Sequence, residues 1–219
     1  MEAAAVPIGH GHGHAHGHDA PGHDHHGHEH HGPPPANKSS RVDAPMLGML
    51  LFIISEVMVF GAFFTAYFFI RIVQGQEWPA EGDHLPKLIA GINTLILVSS
   101  SFTLHWAEVS IKENNRRGLQ AGIASTFLLG ATFLFIQINE YVNIGFAPQD
   151  HAQGTIFYGL TGLHGAHVLI GLLALLTVTI RAFRGHFSAH DHRGIEIPGI
   201  YWHFVDVMWI VVYLTVYII

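Results

Sequence analysis

The chain has 219 residues and a formal net charge of -6, with 49% hydrophobic and only 12% charged residues. Soluble domains carry roughly 25% charged residues, so the composition places the chain in the membrane class, and no basic stripe points to nucleic acid. Cysteine is absent, which excludes disulfides, thiolate metal sites and a cysteine nucleophile.

Residues 1–44 are low-complexity. Eleven of the 20 histidines fall here, at His10, His12, His14, His16, His18, His23, His25, His26, His28, His30 and His31, followed by Pro33-Pro34-Pro35. So little apolar surface predicts a disordered tail, joined to the rest by a stiff proline spacer. Neutral imidazoles at this density bind copper, zinc or nickel adventitiously, whether or not the metal has a physiological role. The first 30 residues contain no apolar core of a signal peptide, so no cleaved secretory signal is expected.

The membrane domain is predicted over 45–219. Five apolar stretches, 46–72, 88–111, 119–142, 155–180 and 198–219, each exceed the roughly 20 residues that cross about 30 Å of hydrocarbon. The expected fold is therefore an all-α, five-transmembrane-helix bundle. The short alternating segments of a barrel are missing. Pro45, Pro86 and Pro198 stand at the predicted span starts, where a lost N–H costs least. With the N-terminus inside, Lys38, Arg41, Lys112, Arg116, Arg117, Arg181, Arg184 and Arg193 fall on the inner side, against Arg71 and Lys87 outside. That bias predicts a cytoplasmic N-terminus and an external C-terminus.

Ionisable residues within these spans are the candidate functional groups, because a charge at mid-bilayer costs about 2.5–3.5 kcal/mol on insertion scales. Glu56 lies near mid-membrane in the first span, and reads equally as a proton-pathway or partner-facing group and as a neutral, hydrogen-bonded packing residue. His105 and Glu108 share a face of the second span, as His203 and Asp206 do on the fifth. Depth matching suggests one buried polar network joining these to Glu56, with separate packing contacts as the equal alternative. His164 and His167 share a face of the fourth span beside Gly162, Gly165 and Ala166. Helix packing is favoured over metal ligation there because no third ligand is placed nearby, while one axial histidine per helix leaves a haem open. Asn93, Ser99, Ser100, Ser101, Gln137 and Asn139 read as interhelical hydrogen-bonding residues.

Four motifs, one per helix and in order, resemble cytochrome c oxidase subunit III. Residues 51–65 resemble that family's helix with a buried glutamate, here Glu56. Gln137-Ile138-Asn139-Glu140-Tyr141 is similar to its next motif, which adds Glu140 to the buried polar set. Thr161-Gly162-Leu163-His164-Gly165-Ala166-His167-Val168 resembles its Gly-x-His-Gly-x-His-Val helix, and Tyr201-Trp202-His203-Phe204-Val205-Asp206-Val207-Met208-Trp209 its final helix.

The resemblance implies an accessory subunit of a haem–copper terminal oxidase, which reduces O₂ to water and pumps protons. It implies no cofactor in this chain, with haem and copper in the catalytic subunit I and in subunit II. It further implies bound phospholipid, support of proton uptake through Glu56, a bacterial cytoplasmic-membrane location, and membership of a larger respiratory supercomplex as an option. Longer members carry two further helices before the one with Glu56, and the histidine-rich segment stands in their place. Cytochrome c is the favoured electron donor, with a quinol oxidase subunit or a nitric oxide reductase accessory subunit as related alternatives. From other classes, a stand-alone di-haem cytochrome using His105, His164, His167 or His203 and a metal transporter with a histidine-rich intake tail remain open.

Overall fold

The structure is a computed structural model that describes residues 44–73, Gly75, 85–185 and 193–219. The expectations for the histidine-rich tail fall outside these residues. Among the described residues, five helices are long and apolar enough to cross a membrane. They are α1 (Ala44–Phe68, continued by a π-helical turn Phe69–Val73), α2 (Lys87–Lys112), α3 (Arg116–Asn143), α4 (Ala152–Phe183) and α5 (Arg193–Tyr213, continued by a π-helical turn Leu214–Ile218). The expected all-α five-helix class is the observed one.

The boundaries follow local chemistry. Between α2 and α3 the chain reverses within Glu113, Asn114 and Asn115. Asn114 takes the left-handed conformation (φ 58°), which asparagine tolerates better than other side chains. Asn115 then caps α3 by accepting from the Gly118 amide at 3.0 Å. Pro86 precedes α2 as expected, but Pro198 does not open α5. That helix begins five residues earlier, which puts Pro198 in its second turn. Its fixed φ is already helical, and the carbonyl it leaves without a partner lies at the helix edge, so the break is tolerated.

Helices α2 to α5 pack in a ring, α2 on α3, α3 on α4, α4 on α5, and α5 back on α2. Helix α1 lies outside this ring against α4 and α5. Only Phe60 and Tyr67, two turns apart on one face, are buried along α1. The most apolar window of α1 is 6% buried and that of α5 56%, so α5 is the central helix and α1 the peripheral one.

Two tryptophans of α5 hold the ring together. Trp202 donates its indole N–H to Ser100 of α2, and Trp209 donates to Thr94 of α2, both at 2.9 Å. The Trp202 ring occupies a slot between α3 and α4 that exists because both walls are glycine. A Cβ on Gly130 would lie 2.7 Å from Trp202 Cζ2, and one on Gly171 would lie 2.8 Å from Cε3. At its far end α1 is fastened to α5. The Tyr67 hydroxyl donates to the Thr215 carbonyl at 3.0 Å, and Arg71 donates to both the Tyr67 hydroxyl and the Ile219 carbonyl.

Candidate functional site

Glu56 is thirteen residues into α1, on the stripe that meets α4. Its Oε2 lies 2.9 Å from His167 Nε2. Phe60, one turn on, packs its ring 5.2 Å from the imidazole, and Tyr201 donates to the His167 carbonyl at 3.2 Å. Phe52, one turn before Glu56, packs 6.1 Å from the Tyr201 ring. The side chains are 18% (Glu56) and 8% (His167) exposed, so the pair lies just beneath the molecular surface at the α1–α4 seam.

The second imidazole nitrogen fixes the proton arithmetic. His167 Nδ1 is 2.8 Å from the Leu163 carbonyl, which can only accept, so Nδ1 carries a hydrogen. A neutral imidazole then presents a bare Nε2, and Glu56 must donate to it as a carboxylic acid. Otherwise Nε2 is protonated and faces a carboxylate. Both states put one proton between Glu56 and His167 and leave the pair neutral, which is what its apolar surroundings favour.

A separate cluster joins α2 and α5. The Ser101 hydroxyl donates to Asp206 Oδ2, and it lies 3.1 Å from His203 Nδ1, from which it accepts. Asp206 Oδ1 is buried without a partner. Glu56 and Asp206 therefore belong to different contacts, and depth along the helix did not distinguish them. His105 and Glu108 form a third group, with Nδ1 and Oε2 3.9 Å apart and the imidazole 71% exposed.

His164 and His167 share a helix face but reach different partners. His164 is fully buried inside the ring, its imidazole 4.7 Å from the Trp209 ring at a 32° tilt and edge-on to Phe133, with neither nitrogen hydrogen-bonded. His167 faces α1 instead. With His164 packed against Trp209 and Phe133 and His167 bonded to Glu56, the two do not converge on one metal. Among the described residues no group of three or more His, Cys, Asp or Glu side chains could hold one.

Glu140 is buried at the end of α3, accepting from the Tyr217 hydroxyl at 3.4 Å through Oε1, while Oε2 has no partner. Of the polar residues expected to bridge helices, Ser100, Ser101 and Asn93 do so, the last by donating to the Phe133 carbonyl at 3.2 Å. Ser99 bonds back to Leu95 and Asn139 pairs with Asn143, both within their own helices. Tyr201 and Tyr217 were not singled out by sequence reasoning as partners of the buried acids and histidines. Their signal was a tyrosine in a buried helix, whose hydroxyl needs a partner.

A family model described as cytochrome c oxidase subunit III matches residues 37–219. The cytochrome c oxidase subunit 3 of Thermostichus vulcanus is 42% identical over 177 residues, covering 80% of this chain and 88% of the relative. That of Synechocystis sp. is 41% identical over 178 residues, covering 80% and 76%. That of Drosophila melanogaster is 42% identical over 176 residues, covering 78% and 67%. A match across all five helices together with relatives at this identity settles the family: the chain belongs to the cytochrome c oxidase subunit III family.

Proposed function

We propose that this chain, a subunit III of a haem–copper oxidase, works beside a catalytic subunit that carries the redox centres, and supplies it with packing surface and a proton site. The observation that carries the second part is the 2.9 Å contact of Glu56 with His167. One proton shared between two groups of different basicity can shift between them without changing the net charge, and passing it on leaves a single negative charge in the apolar seam that draws in its replacement. Phe52, Phe60 and Tyr201 cover the pair and limit its exchange with bulk water. On this reading Glu56 takes up a proton and His167 holds it ready for the partner subunit. Neither is a redox group.

The cytochrome c branch is supported by the names of the relatives, all cytochrome c oxidase subunits. A cytoplasmic N-terminal side is supported by the basic residues. Lys112, Arg116, Arg117, Arg181 and Arg184 gather at one end of the bundle, with Arg116 beside Gly185 and Gln120 bonded to the Ala182 carbonyl. Arg71 and Lys87 are at the other end. The proposed location is the bacterial cytoplasmic membrane, with subunits I and II as partners.

The test is Glu56→Gln in the whole oxidase. Glutamine keeps the shape and a hydrogen bond to His167 but removes the exchangeable proton. We expect normal assembly with a lower proton-to-electron ratio, or faster loss of activity during turnover. Unchanged pumping and durability would reduce Glu56 to a packing residue.

A further inference from the structure

The seam between α2 and α5 carries polar groups at every turn from the basic end of the bundle to its middle. On α2, Lys112, Glu108, His105 and Ser101 follow one another at three- and four-residue steps and so share a face. On α5, Glu196, Gly199, His203 and Asp206 do the same. The two rows meet like rungs. Glu108 lies against α5 where the facing residue is glycine, and a Cβ on Gly199 would collide with Glu108 Oε1. At the deepest rung Ser101 bridges His203 and Asp206. At the shallow end Glu108, Lys112 and Glu196 line an open cavity of about 270 Å³, walled by Ile111, Ile195 and Ile200.

Polar rungs hold two membrane helices together with no further role. Two features go beyond that. Asp206 is only 4% exposed and its Oδ1 has no partner, so an ionised carboxylate there is costly. The His105 side chain is 71% exposed, so the ladder is open at one end and sealed at the other. The titratable groups facing the deep rung are those of the ladder itself. Elsewhere in the bundle, His164 of α4 is turned to Trp209, Glu56 of α1 to His167, and Glu140 of α3 to Tyr217.

We infer that this ladder is a proton relay ending on Asp206, a second proton site separate from the Glu56–His167 pair. The step balances within three side chains. With Asp206 ionised, His203 Nδ1–H donates to Ser101 Oγ, and the Ser101 O–H donates to Asp206 Oδ2. Water from the cavity supplies a proton to His203 Nε2. The Nδ1–H bond breaks and its proton passes to Oγ, while the Oγ–H proton passes to Oδ2. The products are a neutral carboxylic acid and a neutral imidazole protonated at Nε2. The Ser101 hydroxyl has reversed, donating to Nδ1 and accepting from Asp206. Both end states keep both hydrogen bonds, which a hydroxyl permits because it is donor and acceptor at once. The buried negative charge is gone in the product. The relay does not depend on the Glu56 reading.

The test follows the whole oxidase in nanodiscs by infrared spectroscopy after a drop in pH. Asp206→Asn identifies the Asp206 carboxylic-acid band by removing it. We expect that band to rise after the drop in the wild type, and about a hundredfold more slowly in Ser101→Ala, the low end of what a positioned proton-transfer group contributes. Ser101→Thr keeps a hydroxyl and should restore the wild-type rate, which a serine acting only in packing does not require. His203→Gln leaves the serine–carboxyl contact in place and should slow the band equally, so it carries the test if Ser101→Ala does not assemble. Glu56→Gln should leave both the band and its rate unchanged, which separates the two sites. A carboxylic-acid band that does not respond to pH, or one that rises at the wild-type rate in Ser101→Ala or His203→Gln, would overturn the relay.

Discussion

A buried carboxyl group held by a single hydroxyl is vulnerable in one specific way, and Asp206 shows it. Ser101 is its sole side-chain donor across the α2–α5 seam, and Oδ1 already lacks one. Ser101→Ala removes the remaining bond and strands the whole carboxyl, so the expected cost is about 1–3 kcal/mol. Adding Asp206→Leu to the same chain removes the group that was stranded. The double variant should then be more stable than Ser101→Ala alone, as read by denaturant titration of the detergent-solubilised complex. If the serine variant is neutral, the short contact contributes nothing. The same residues show what a linear sequence withholds. Spacing along the helices gives Glu56 and Asp206 a similar expected depth. It does not give the direction in which each points around its helix axis, because azimuth is fixed by the neighbouring helix. Glu56 turns to His167, 111 residues away on α4, and Asp206 turns to α2.

Among the elements, α5 depends on glycine elsewhere. Trp202 is fully buried, and its indole is rigid, so a methyl added at Gly171 cannot be absorbed by a flexible tip. Gly171→Ala should cost about 1–3 kcal/mol by overpacking, and Trp202→Phe in the same chain should recover part of that loss. Destabilisation that the smaller ring fails to relieve would place the strain in the backbone. Removing the hydroxyl in Thr94→Val leaves the Trp209 indole N–H without its acceptor, and the same denaturant titration should register about 1–3 kcal/mol. Element existence was readable from apolar run lengths because each helix must span hydrocarbon by itself. The ends were less so. The π-helical turns after α1 and α5 leave no periodic signature in five residues. Proline misled at α5 because a fixed helical φ is compatible with the second turn as well as the first.

At the scale of the whole molecule, α1 is the helix least covered by the other described residues. Leu51, Ile54, Met58 and Ile72 are all more than half exposed on a helix that buries only Phe60 and Tyr67. In a bilayer that face meets lipid or another subunit, and membership of the family places the chain in a multi-subunit oxidase complex. The prediction follows from the placement of the histidines. His164 is packed between Trp209 and Phe133, and His167 is committed to Glu56 and the Leu163 carbonyl. Neither nitrogen set can reach a haem iron without dismantling that packing. The purified complex should therefore show the chain co-migrating with a larger haem-bearing subunit, and the chain separated from it should lack a Soret band. His164→Phe preserves the aromatic contact with Trp209 and buries no unpaired nitrogen, so stability should hold or rise and haem per complex should stay constant. His167→Phe removes the partner of Glu56, so it should weaken the α1–α4 seam and raise the sensitivity of α1 to proteolysis, again with haem unchanged. A Soret band retained by the isolated chain and lost in either variant would make this a haem protein in its own right, and the proposed division of labour with the catalytic subunit would fall.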